Sequence, residues 1–121
     1  VMVEADAFDS DPDLLGVANG VLNLRTGHLL TGAPSARVTR HLAINAGTGE
    51  TPTRWLRFME EIFPDPAIRE WMHTALGYAI TGHMTEQFML ILVGKGANGK
   101  SVLLDTITHV MAAVTETALP E

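Results

Sequence analysis

The chain changes its hydrophobic period three times. Residues 15–31 carry short apolar pieces split by turn residues: Gly16-Val17-Ala18, then Asn19-Gly20, then Val21-Leu22-Asn23-Leu24, then Arg25-Thr26-Gly27-His28, then Leu29-Leu30. An Asn-Gly pair accepts the positive φ angles of a type I′ turn, so this stretch predicts a β-meander. A loop with Gly32 and Pro34 follows, then a further expected strand over residues 38–44, ended by the breaker-rich Ala46-Gly47-Thr48-Gly49.

The period then lengthens. Trp55, Phe58, Met59, Ile62 and Phe63 recur at helical spacing, with Thr51 expected as cap, Pro52 as first helical residue, and Pro64 and Pro66 as the stop. A second helix is expected to be capped by Asp65 and opened by Pro66. Ile68, Trp71, Met72, Ala75, Leu76, Ala79 and Ile80 form its apolar face, and Gly82 ends it. The short link favours an antiparallel helical hairpin with the aromatic stripe in its core. Next comes a nearly continuous apolar run, residues 87–93, which reads as a strand buried on both faces. After a glycine-rich turn, Val102, Leu103, Ile107, Val110, Met111 and Val114 mark a last amphipathic helix over residues 100–113.

That turn reads Gly94-Lys95-Gly96-Ala97-Asn98-Gly99-Lys100-Ser101 and fits the phosphate-binding P-loop pattern. The chemistry needs a glycine-rich backbone whose amides converge on phosphate oxygens, followed by a helix N-terminus with unsatisfied N–H groups and a positive dipole end. Lys100 is placed to reach the β- and γ-phosphates of a nucleoside triphosphate as the catalytic lysine, and Ser101 to put its hydroxyl on Mg²⁺. With glycine at about 7% of residues, chance produces this pattern in fewer than about one chain in a hundred of this length. A second acidic element that holds Mg²⁺ and orients water is not visible after the loop. Asp105 reads as an exposed helix carboxylate, so the chain alone is expected to bind nucleotide without hydrolysing it.

Composition narrows the picture. The 121 residues are 46% hydrophobic and 18% charged, enough for a core. No apolar run is long enough to span a bilayer, and the acidic N-terminus lacks the basic region of a signal peptide. There is no cysteine, which excludes disulfides and thiolate metal sites and agrees with a reducing cytoplasm. The net charge of −6 leaves no global footprint for nucleic acid, so any DNA contact is expected to be local. Five of the fourteen acidic residues (Glu4, Asp6, Asp9, Asp11, Asp13) crowd the first thirteen positions, giving an expected mobile acidic lead-in over residues 1–14. Asp9, Asp11 and Asp13 imitate a calcium loop but lack its glycine and closing glutamate, Leu14 and Gly20 standing there instead. The five histidines (28, 41, 73, 83, 109) show no ligand spacing. Arg37, Arg40 and His41, and Arg54 with Arg57, read as solvated basic faces. Beginning at Val1 and running only twenty residues past the lysine, the chain is expected to be a piece of a longer polypeptide.

Four segments in order resemble the phage and plasmid primase-helicases, relatives of the poxvirus primase-helicase, whose motor is a superfamily 3 helicase of AAA+ type. They are the runs Gly20-Val21-Leu22-Asn23-Leu24-Arg25-Thr26-Gly27, Phe58-Met59-Glu60-Glu61-Ile62-Phe63, Leu76-Gly77-Tyr78-Ala79-Ile80-Thr81-Gly82, and the P-loop itself. The resemblance runs over residues 15–110; Ala46-Gly47-Thr48-Gly49 departs from the Tyr-Asp-Pro-like stretch such proteins often show there. The resemblance implies an α+β fold. A β-meander and helical hairpin form a region over 15–84, and residues 85–121 open a truncated AAA+ ATPase with its Walker A loop. It further implies an ATP-dependent DNA helicase using ATP and Mg²⁺ on single-stranded DNA. Such proteins form a homo-oligomeric ring, commonly hexameric, with the site between subunits and no membrane partner. The alternatives are another P-loop NTPase or kinase, or a non-catalytic assembly or DNA-positioning collar.

Overall fold

In the computed structural model of the chain, which describes residues 2, 4–32, 34–47 and 49–115, the fold is α+β. A three-stranded antiparallel sheet precedes three helices. After a 3-10 turn at Ala5–Ala7, strand β1 (Leu14–Val17) pairs with β2 (Gly20–Asn23), which pairs with β3 (Leu29–Leu30). The meander is the one the period-two pattern predicts, but its first turn is shifted by one residue. Val17 pairs with Gly20, so Ala18 and Asn19 form the loop. Neither has positive φ, so the expected type I′ turn at Asn19-Gly20 does not form. Gly20 serves another purpose: at φ 149° it brings the strand so close to β3 that a Cβ would lie 2.4 Å from the carbonyl oxygen of Leu30. Val17, Val21 and Leu42 are the buried residues of this part of the chain.

The strand expected over residues 38–44 is reduced to a single parallel bridge between Gly16 and His41. The Leu42 amide donates to the Gly16 carbonyl at 2.9 Å, and the Ala18 amide to that of Ile44 at 2.8 Å. Beyond this the Asn19 side chain takes the place of a ladder partner: its oxygen accepts from the Ala46 amide at 2.9 Å and its nitrogen donates to the Ala46 carbonyl at 3.1 Å. A side chain that satisfies the backbone in this way removes the need for a longer ladder.

Helix α1 spans Thr53–Ile62 and α2 spans Pro66–Ala79. Asp65 caps α2, accepting from the Ala67 amide at 2.8 Å, with Pro66 opening the helix. At α1 the expectation fails: Pro52 precedes the helix as its cap residue, and no side chain bonds the first turn. Helix α2 ends at Ala79, with Ile80 as cap residue, before reaching Gly82. Met59 and Met72 are fully buried where the hairpin packs, ringed by Trp55, Phe58, Ile62, Phe63 and Leu76. The apolar stripe of α2 is wider than its contact, since Ile68 and Trp71 remain about half exposed.

Helix α3 (Lys100–Val110) lies on this hairpin: Leu103 completes the buried trio with Met59 and Met72, and Ile107 packs beside it. The strand expected over residues 87–93 does not form. No described segment lies alongside residues 87–93 to exchange backbone hydrogen bonds, and a strand without a neighbour is not a strand. Side chains hold it instead. The Glu86 amide donates to Tyr78 Oη at 2.8 Å, the Tyr78 and Phe88 rings sit 5.9 Å apart, and Leu92 packs against the core. Met89, Ile91 and Val93 face solvent.

The acidic start of the chain has specific partners. Asp9 accepts from the Thr39 amide at 2.7 Å and from its hydroxyl. Asp13 pairs with Arg25 at 3.0 Å and with His83 Nε2 at 2.7 Å, while the Gly82 amide donates to the Pro12 carbonyl at 2.8 Å. These last contacts clasp the meander to the exit of α2. No helix among the described residues is long and apolar enough to cross a membrane.

Candidate phosphate-binding site

The eight residues singled out by the motif are contiguous, and the structure places them as one exposed loop between residue 93 and the first turn of α3. Gly94 leads in and Lys95 is exposed. Gly96, Ala97 and Gly99 all have positive φ, at 50°, 48° and 80°. Ala97 is the costly one, since an L side chain in the left-handed region is disfavoured by about 1 kcal/mol or more. Gly99 is the cap residue of α3, and no side chain bonds the first turn of the helix. The donors of that turn are thus left to an outside acceptor, the condition for anion binding at a helix start.

Lys100 and Ser101 begin α3 on adjacent positions, Lys100 half-buried and Ser101 exposed. The lysine is turned back into the loop: Nζ donates to Asn98 Oδ1 at 2.5 Å. Asp105, one turn further on, is exposed as expected. The donor set of uncapped amides, one ammonium and one hydroxyl matches a magnesium polyphosphate in chemistry.

Two residues outside the motif hold it in place. A Cβ on Gly99 would fall 2.4 Å from Ile62 Cγ2 and 3.6 Å from Phe58 Cε2, so the end of α1 presses directly on the loop. No local pattern marks Ile62 or Phe58 for this role; in the sequence they read only as part of the apolar stripe. The two expected basic clusters do not join the loop. Arg57 pairs with Glu61 at 3.4 Å on the exposed side of α1, and Arg40 lines a separate cleft with Asp9, Asp11 and Gly82. Of the histidines, His73 accepts from the Trp55 indole at 3.2 Å and His83 pairs with Asp13. No group of three His, Asp or Glu among the described residues is arranged to hold a metal.

The strongest electrostatic perturbations lie away from the loop. The hydrogen bond from Thr39 Oγ1 holds the Asp9 carboxyl below the usual carboxylate range, helped by the Thr39 amide. At Asp13 the hydrogen bond with His83 has the larger effect and that with Arg25 the next, and both lower its pKa.

Comparison with known proteins supplies the family. The chain is 30% identical over 109 residues to a protein of Acanthamoeba polyphaga mimivirus provisionally named a helicase. It is 31% identical over 112 residues to an African swine fever virus protein provisionally named a primase. A provisionally named helicase of Invertebrate iridescent virus 6 is 30% identical over 102 residues. The first two matches cover 86% of the chain and the third 80%. The chain spans about a tenth of the length of these relatives, 11% of the first two and 10% of the third. The family model described as D5 N terminal like matches residues 1–64, from the acidic start through the meander and α1. The chain therefore belongs to the D5 N-terminal-like family, within the primase-helicases.

Proposed function

We propose that this chain carries the phosphate-binding loop of an ATP-dependent DNA helicase, the motor of a primase-helicase encoded by a phage, prophage, plasmid or virus. In this reading residues 1–14 lead in, residues 15–84 form the region ahead of the motor and residues 85–121 open it. The observation that carries it is the coincidence of a complete Gly-x-x-x-x-Gly-Lys-Ser run with an uncapped helix start at Lys100 and positive φ at Gly96, Ala97 and Gly99. The similarity to proteins named as helicase and primase agrees with it, since a match over 86% of the chain has to run through residues 94–101.

The roles follow from chemistry. The amide N–H groups of the loop and of the first turn of α3 donate to phosphate oxygens, Lys100 neutralises charge on the β- and γ-phosphates, and the Ser101 hydroxyl serves Mg²⁺. Magnesium, when bound, neutralises charge on the transferred phosphoryl group. Gly94, Lys95, Gly96, Ala97, Asn98 and Gly99 shape the cradle. Single-stranded DNA as the track and a hexameric ring with the nucleotide between subunits belong to this reading. Hydrolysis by the 121-residue chain alone does not, because no acidic partner for the magnesium is assigned on it. Calorimetric titration of Mg-ATP into the chain and into Lys100→Ala tests the reading. Binding that weakens at least tenfold in the variant is expected, and equal binding by both sinks it.

A further inference from the structure

Lys100 in this loop is bound to a neighbour within the loop itself. Its ammonium donates to Asn98 Oδ1 at 2.5 Å. The Asn98 carboxamide lies against Gly94: a methyl there would fall 2.0 Å from Asn98 Nδ2 and 2.7 Å from Lys100 Nζ. The carboxamide and the ammonium therefore fold together over the residue that opens the loop, and glycine at position 94 is what leaves them room. An ammonium is a donor only, and a phosphate oxygen makes a stronger, charge-assisted bond to it than a neutral amide oxygen does. The two acceptors seek the same group.

We propose that Asn98 is a latch on Lys100, a positioning residue that holds the ammonium across the loop and must be displaced by the polyphosphate of an incoming nucleotide. The inference rests on the reading of residues 94–101 as a phosphate site and states how that site opens. Asn98 then sets affinity by competition, so removing its carboxamide tightens nucleotide binding where a merely structural role would weaken it. An aspartate at the same position makes a stronger latch and repels phosphate.

The sequence provides its own control, because Lys95 and Lys100 are the only lysines. Limited acetylation with an amine-reactive ester, read by mass spectrometry as the ratio of Lys100 to exposed Lys95, reports the latch with no nucleotide present. The ratio is expected to rise about threefold in Asn98→Ala, the modest scale of a partly exposed hydrogen bond. It should rise similarly in Gly94→Ala, whose methyl displaces the carboxamide. Calorimetry with Mg-ATP is then expected to show binding about three- to tenfold tighter in Asn98→Ala and at least about tenfold weaker in Asn98→Asp. An unchanged ratio in Asn98→Ala, or Mg-ATP binding by that variant no tighter than by the unaltered chain, overturns the latch. Equal binding by the unaltered chain and Lys100→Ala is a different failure, that of the phosphate site, and the acetylation ratio separates the two.

Discussion

Replacing Leu103 by alanine tests whether α3 belongs to the same core as the helical hairpin. Leu103 is 1% exposed and meets Met59 and Met72, themselves fully buried. Truncating a buried leucine costs about 2–5 kcal/mol, the sum of lost transfer energy and the cavity left behind. Methionines are unbranched and flexible, so Met59 and Met72 partly refill the space, which places the cost near 3 kcal/mol. Small domains are stable by only about 5–15 kcal/mol, so such a loss is a large shift in the unfolding midpoint. Leu104, the next residue, is 52% exposed and serves as a control of identical chemistry. Its truncation costs under about 1 kcal/mol, since half its surface is already in water and alanine favours a helix. Urea unfolding followed by far-ultraviolet circular dichroism measures both. If Leu103→Ala costs no more than Leu104→Ala, α3 does not share the hairpin's core, and the support that Ile62 gives Gly99 loses its basis.

Three further outcomes are expected. Asp13→Asn destabilises the chain at neutral pH by breaking the clasp to His83 and Arg25. Because the folded-state pKa of Asp13 is lowered, its contribution is complete above the ordinary carboxylate range and disappears as pH falls through the lowered value. The gap between variant and unaltered chain in urea unfolding should therefore close in strong acid. Gly20→Ala costs more than about 1 kcal/mol, because φ is 149° and the new methyl meets a backbone oxygen at 2.4 Å; Gly27→Ala, with open space around it, costs less in the same assay. Asp65→Ala removes the cap of α2 and lowers stability by about 1 kcal/mol.

What the sequence discloses depends on whether a feature is local. The α1–α2 hairpin is legible from the spacing of Trp55, Phe58, Met59 and Met72, and the Asp65-Pro66 start from capping chemistry alone. The meander is legible too, but its turn is misplaced. Asn19-Gly20 carries the signature of a type I′ turn, whereas Gly20 is used for close approach to β3 and Asn19 for bonding Ala46. Residues 87–93 fail for a different reason. Their composition satisfies a buried strand, but a strand is defined by its neighbour, and none of the described segments takes that place. The Asp13–His83 clasp joins residues 70 positions apart, and nothing in the spacing of a short acidic run announces it. At the loop, the motif names all eight residues. It is silent on the pressure of Ile62 on Gly99, which depends on how α3 packs on α1, and on the hold of Asn98 on Lys100, which depends on the rotamers of two side chains within the loop.

The central claim is that residues 94–101 receive the phosphates of a nucleotide. Its most direct measurement is an amide chemical-shift titration of the isotopically labelled chain with Mg-ATP. The account predicts saturable shifts concentrated on residues 94–103, with the β1–β3 meander unmoved. Shifts absent from the loop, or gathered instead on the apolar groove lined by Trp55, Leu76, Ile107 and Val110, would contradict it.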